Sequence, residues 1–203
     1  NARQGKRVSL VVAPAGYGKT TLVAQWCSRL EQPVAWLALD ESDDEPQRFW
    51  QYVAGALERA GIMSDSTSVQ QQIAAAPDAS QDTFITLLLN GLAARAQAPA
   101  ATLVLDDLHL IRRSDILRTL AYLIDYLPPG LHLVILSRTE PALPLARWRV
   151  RGWTDELHAA DLAFSASGNE GCLYSQVVYK CRDCLDCFSI YSCELCYECV
   201  ACH

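Results

Sequence analysis

The sequence predicts an α/β fold: a five-stranded parallel sheet with helices on both faces. Three observations carry that reading. Apolar runs at residues 8–12, 33–39, 101–105 and 131–136 have the length and content of buried strands. Longer stretches between them repeat apolar residues at helical spacing. The two patterns alternate along the chain, which is the order that builds a parallel sheet covered on both sides. With 203 residues, 51% of them hydrophobic, the chain can bury a substantial core.

Taken in order, the first strand is followed by a helix over residues 20–30. Leu22, Val23, Trp26, Cys27 and Leu30 fall on one face, with Cys27 expected as a small core residue. The second strand runs into an acidic loop, Asp40 to Glu45. Pro46 opens a helix at a position where its missing N–H costs nothing, Phe49, Trp50, Val53, Leu57 and Ala60 line it, and Gly61 ends it. Residues 64–79 read as a loop with at most one short helix. Phe84, Ile85, Leu88, Leu89 and Leu92 mark a further helix, and Ile116, Leu117, Leu120, Leu123, Ile124 and Leu127 another, stopped by Pro128-Pro129-Gly130. A fifth strand is expected near residues 154–157.

The chemistry is concentrated after the first strand, in Ala13-Pro-Ala-Gly-Tyr-Gly-Lys-Thr20. A strand, a glycine loop and a helix N-terminus together form an anion site, because loop N–H groups and the helix dipole point at one spot. The spacing matches the phosphate loop of P-loop NTPases, G-x-x-x-x-G-K-[ST], with Ala13 in place of the first glycine. Ala15, Gly16, Tyr17, Gly18, Lys19, Thr20 and Thr21 are the candidate nucleotide-binding residues. Lys19 is expected to neutralise the β- and γ-phosphates of ATP or ADP, and the Thr20 hydroxyl to ligate Mg²⁺.

The third strand ends in Asp106-Asp107. An apolar run closed by a carboxylate is the second half of such a site, so Asp106 is expected to hold Mg²⁺ directly or through water. Asp107 is the candidate for polarising an attacking water, against the alternative of a solvated surface acid. Arg138, one residue past the fourth strand, is placed to contact the γ-phosphate. His109 reads either as a nucleotide sensor or as a hydrogen-bonded loop histidine, with the loop role favoured. Arg147, Arg149 and Arg151 read as a solvated face or as contacts to a neighbouring domain.

A net charge of −6 argues against a general nucleic-acid-binding surface. No run of 18 apolar residues is present, so no transmembrane helix and no membrane partner are expected. The non-methionine start, Asn1, so close to the first strand predicts a piece of a longer chain.

The phosphate loop with the following Thr21-Leu22 resembles that of MalT-type regulators, the large LuxR-family transcription activators of the STAND group of signal-transduction ATPases. So do Val34-Ala-Trp-Leu-Ala-Leu-Asp-Glu41 with Arg48-Phe-Trp50, Leu103-Val-Leu-Asp-Asp-Leu-His-Leu-Ile111 and Leu131-His-Leu-Val-Ile-Leu-Ser-Arg138. Pro144-Leu-Ala-Arg147 and Glu156-Leu-His-Ala-Ala-Asp-Leu-Ala-Phe164 extend the resemblance to about residues 7–165. It implies a core whose nucleotide-sensing strand lies between the two motif strands. It also implies an ATP/ADP-dependent cytoplasmic switch with slow hydrolysis, self-association in the full-length regulator, and the roles given above for Lys19, Thr20, Asp106 and Arg138. Such regulators continue into helical, winged-helix, inducer-sensing and C-terminal helix-turn-helix modules. None of those patterns occurs in these 203 residues, so DNA is expected as a partner only through a module outside them. A metabolic or nucleic-acid-processing P-loop ATPase, and a metal-binding module with an inactive nucleotide site, are the competing readings.

A domain boundary is expected at residues 165–166, where composition changes. The segment beyond it holds Cys181, Cys184, Cys187, Cys193, Cys196, Cys199 and Cys202, mostly three residues apart. Three readings stay open for this small Cys-rich segment: a Zn²⁺ or Fe–S metal site, a short β-solenoid with a six-residue period, or a disordered or foreign end.

Overall fold

The computed structural model describes residues 5–63, 69–75, 80–93 and 100–162 with their side chains, those of residues 70 and 74 excepted. It describes residues 172–173, 177–185 and 189–197 by their backbone. The described chain divides into two units, residues 1–159 and 160–203.

The first unit is built on five parallel strands: β1 (Val8–Val12), β2 (Val34–Ala38), β3 (Ala101–Asp106), β4 (Leu131–Ser137) and β5 (Thr154–His158). Their order across the sheet is β2-β3-β4-β1-β5. β4 therefore lies between the strand that feeds the glycine loop and the strand that ends in Asp106, in the order that the family resemblance implies. Every residue of β3 and β4 is buried, as expected for strands covered on both faces. β5 is an edge strand and alternates in exposure.

The register fixes the site. Val12 lies opposite Ser137 and Ala38 opposite Asp106. The carboxyl ends of β1, β3 and β4 are thus level, and parallel sheets place ligands at that edge.

Among the described residues, seven α-helices accompany the strands: α1 (Lys19–Ser28), α2 (Pro46–Arg59), α3 (Val69–Ala74), α4 (Gln81–Ala93), α5 (Ser114–Asp125), α6 (Leu145–Val150) and α7 (Ala159–Leu162). α2 begins where Glu45 accepts the N–H groups of Gln47 and Arg48, with Pro46 in its first turn. It ends with Ile62 N–H donating to Leu57 O, five residues back, as in a Schellman turn. Phe49, Trp50, Val53, Ala54 and Leu57 on this helix are at most 1% exposed.

One expectation is corrected. Cys27 is only half-buried, because α1 sinks just Lys19 and Val23 beneath the surface. Leu145–Val150 forms a helix that the sequence pattern did not announce. The basic cluster on and after that helix is exposed, as a solvated face is, and its members pair along the surface. Arg147 pairs with Asp125, Arg149 with Glu140 and Glu156, and Arg151 stacks over Trp153.

Among the described residues, the second unit contains three parallel strands, β6 (Cys172–Leu173), β7 (Val177–Leu185) and β8 (Ser189–Tyr197). Partners are offset uniformly by twelve residues, so that Cys172 faces Cys184, Cys181 faces Cys193 and Cys184 faces Cys196. The Zn²⁺ and Fe–S readings concern the side chains of Cys181, Cys184, Cys187, Cys193, Cys196, Cys199 and Cys202, which lie outside the described side chains. Cys187, Cys199 and Cys202 lie outside the described residues altogether.

Candidate nucleotide site

The phosphate loop forms because β1 stops at a buried edge and the chain must turn sharply into α1. Gly16 and Gly18 both have positive φ, 84° and 73°, a region that side chains with a Cβ rarely adopt. Ala13 is not among the residues with positive φ, it is 1% exposed, and its N–H donates to the Ser137 carbonyl. A methyl group fits there, which explains how the chain departs from the first glycine of the motif. Ala15, Tyr17, Thr20 and Thr21 are exposed along the loop and the start of the helix.

Lys19 is the first residue of α1, 7% exposed, and its ammonium donates to the Pro14 carbonyl at 3.0 Å. The loop thus holds its own cation folded back over itself. Thr20 Oγ1 donates to Asp106 Oδ2 at 3.0 Å, across 86 residues of sequence. The other oxygen, Asp106 Oδ1, is buried and accepts no hydrogen bond among the described residues. A buried carboxylate oxygen without a donor, beside a hydroxyl, suits a hard divalent cation or its water. The residues present therefore fit Mg²⁺. Among the described residues, no group of three or more His, Cys, Asp or Glu side chains could hold a metal ion.

Burial pushes the Asp106 carboxyl above its ordinary value of 3.8. The Thr20 hydroxyl opposes this, the charge of Asp107 reinforces it, and the Lys19 charge opposes it more weakly. A carboxyl with a raised folded-state pKa stabilises the fold while protonated. That contribution is fully present below 3.8 and is lost as pH rises through the raised value. At neutral pH the ionised group is therefore a local cost. Asp106→Asn is expected to melt at a higher temperature than the unsubstituted chain at pH 7 without ligand, and to lose the extra stabilisation by ATP with Mg²⁺. Thermal melts with and without both ligands check this, and equal ligand gains in the two proteins would contradict it.

Asp107 has φ 60° and is the one non-glycine residue in the left-handed region among those described. Such strain is retained where a side chain must be aimed. The following turn, Leu108–Leu110, carries His109, whose Nδ1 is 3.6 Å from Asp107 Oδ1 and buried without a hydrogen-bond partner. Burial lowers the His109 pKa. Asp107 opposes the shift, and the charges of Arg138, Lys19 and Arg112 add to it. The neutral form of His109 is thus favoured, with Asp107 beside it. The sequence favours a loop role for His109, and it lies in the turn that follows Asp107. Arg138 is exposed just past β4.

A carboxylate outside the sequence expectation pins this turn. Asp44 Oδ1 accepts the N–H groups of both Arg112 and Arg113, at 3.1 and 2.9 Å. The loop after β2 and the chain leaving β3 are thereby tied together.

Residues 1–136 match the family of AAA ATPase domains. The chain belongs to that family. Over 163 residues this AAA ATPase domain is 38% identical to the HTH-type transcriptional regulator MalT of Serratia proteamaculans, a match covering 78% of the chain and 17% of the regulator. The MalT regulators of Yersinia enterocolitica and Cronobacter sakazakii match with the same coverage at 38% and 34% identity. The chain therefore spans about a sixth of the length of these relatives. In a solved structure of Drosophila ORC bound to DNA, one chain is similar with a TM-score of 0.50 and 13% identity, over 77% of this chain and 82% of that one. That likeness is one of fold. No helix among the described residues is long and apolar enough to cross a membrane.

Proposed function

We propose that this AAA ATPase domain is the cytoplasmic nucleotide switch of a MalT-type transcriptional regulator, binding ATP and ADP with Mg²⁺ and hydrolysing ATP slowly. The observation that carries the reading is the Thr20–Asp106 hydrogen bond beside the glycine loop and the buried Lys19. Loop N–H groups and Lys19 take the phosphates, releasing the ammonium from the Pro14 carbonyl. Thr20 and Asp106 hold Mg²⁺, which when bound neutralises phosphate charge. Asp107 orients the attacking water, and Arg138 contacts the γ-phosphate. Gly16, Gly18 and the neighbouring loop residues serve through their backbone. Self-association, and contact with DNA through a helix-turn-helix module, belong to the longer regulator.

Turnover separates this reading from a metabolic ATPase. A switch is expected to hydrolyse ATP far more slowly than the roughly 10 per second of a median enzyme. A rate of that size from the chain alone would overturn the switch reading, and failure to bind ATP at all would favour an inactive nucleotide site. Within the switch, Asp107→Asn keeps a residue type that tolerates the left-handed backbone but removes the carboxylate. It is expected to lower single-turnover hydrolysis by about 100-fold, the scale of a lost general base, while a fluorescent ATP analogue binds within about twofold of the unsubstituted affinity. Unchanged hydrolysis would remove Asp107 from the mechanism.

A further inference from the structure

A groove runs along α5, walled by α4 on one side and by the segment from Ala142 to Arg147 on the other, with a volume of about 750 Å³. Ligand pockets commonly span roughly 300–1,000 Å³. Its floor is apolar. Ile85, Leu117 and Ala121 are each at least nine-tenths buried, and the exposed ring of Tyr122 stands at its wall.

The charge on this apolar floor is unevenly spent. Asp125 is satisfied twice, by the Arg147 guanidinium and by the Trp148 indole N–H at 2.8 Å. Arg112 and Arg118 also line the groove, and neither guanidinium has a carboxylate partner among the described residues. Asp82, in the first turn of α4, is the one lining carboxylate outside that pair. The lining as a whole is cationic, on a chain whose net charge is −6. Unpaired guanidiniums over an apolar floor beside an aromatic ring match an anion with a hydrophobic body.

We propose that the α4–α5–α6 groove is a binding site for a small organic anion: a carboxylate or phosphate head carried on an aromatic or branched aliphatic body. The head sits between Arg112 and Arg118, and the body lies on Ile85, Leu117 and Ala121 against Tyr122. The site is separate from the phosphate loop and does not depend on nucleotide binding.

The test uses the 203-residue chain and 8-anilinonaphthalene-1-sulfonate, an aromatic anion whose fluorescence reports its transfer out of water. Saturable one-to-one binding is expected, weakened by added salt. Arg118→Gln is expected to weaken it at least about tenfold, the loss of one charge-assisted contact, and Asp82→Asn to strengthen it several-fold by removing a repulsive charge. Thr86→Trp, an exposed position on the α4 wall, is expected to block the groove without disturbing the core. N-phenyl-1-naphthylamine, the same rings without the sulfonate, is expected to bind at least about tenfold more weakly. Competition by benzoate against phenyl phosphate then identifies the preferred head. Lys19→Ala is expected to leave all of these results unchanged, which keeps this site distinct from the nucleotide reading. Non-saturable binding, equal affinity for the uncharged probe, or full affinity in both Arg118→Gln and Thr86→Trp, with their melting curves intact, would overturn the proposal.

Discussion

Lys19→Ala is expected to abolish measurable binding of a fluorescent ATP analogue, a loss of at least about 100-fold, with the melting temperature of the ligand-free chain lowered by only a few degrees. The two halves of that expectation have separate causes. Among the described residues the ligand-free ammonium donates to the Pro14 carbonyl at 3.0 Å, and a single charge-assisted bond of this kind contributes about 1.5–3 kcal/mol net. Alanine is also the residue best suited to a helix, here at the first position of α1, which offsets part of that loss. Toward a nucleotide the balance is different. The lysine is 7% exposed, so its charge acts on phosphate oxygens with little water between, and charged contacts strengthen as the local dielectric falls. Removing it leaves phosphate charge facing only backbone N–H groups and the helix dipole. Equilibrium titration with the analogue and Mg²⁺ checks the first half and calorimetry the second. Binding retained within about threefold would mean that the loop does not hold phosphate through this group.

The largest loss of stability is expected from Trp50→Ala. Trp50 is 0% exposed on the buried face of α2 and packs edge-to-face against Phe49, with ring centroids 4.9 Å apart and an interplanar angle of 89°. Deleting a buried aromatic ring costs about 3–5 kcal/mol through lost transfer energy and the cavity left behind, and part of the ring pairing adds to that. In a chain of this length such a loss lowers the melting temperature by about 10 °C or more. The indole N–H has no acceptor among the described residues, so the tryptophan itself carries a desolvation cost. Trp50→Phe keeps an aromatic ring and removes the orphaned donor, and is therefore expected to cost much less than alanine. Urea unfolding of the three proteins decides it. Equal losses for phenylalanine and alanine would show that the ring is not what the core requires.

Much of the fold was legible because its signals are local. Val8–Val12, the glycine loop and the helix after it announce themselves by residue type, and Asp106 is read from the apolar run that precedes it. The level strand ends that bring Thr20 to Asp106 follow from parallel pairing and need no further information. What was not legible depends on partners distant in sequence. α6 buries only Leu145 and Trp148, too few apolar residues to set a period. Its arginines are the surface patch that the sequence suggests, but Asp125, Glu140 and Glu156 reach them only in the folded chain. The left-handed backbone of Asp107 leaves no trace in composition, since aspartate is a common residue in any loop. The surroundings of His109 were not legible for a related reason: the charges near it arrive from past β4 and from the phosphate loop. Cys27 was overrated because helical spacing gives the direction of a side chain without the depth to which the helix sinks.

The bond from Asp44 to two successive backbone amides has a wider reach than its size suggests. The seven residues that leave β3 form a short span moored at both banks, by the sheet at Asp106 and by Asp44 at Arg112 and Arg113. Whatever repositions the acidic bend after β2 must pull on that span, and with it on Asp107 and His109. Under the proposed switch, residues that never meet the nucleotide would then help to set the tempo of hydrolysis, and sequence change in the bend would retune a timer while leaving its trigger intact.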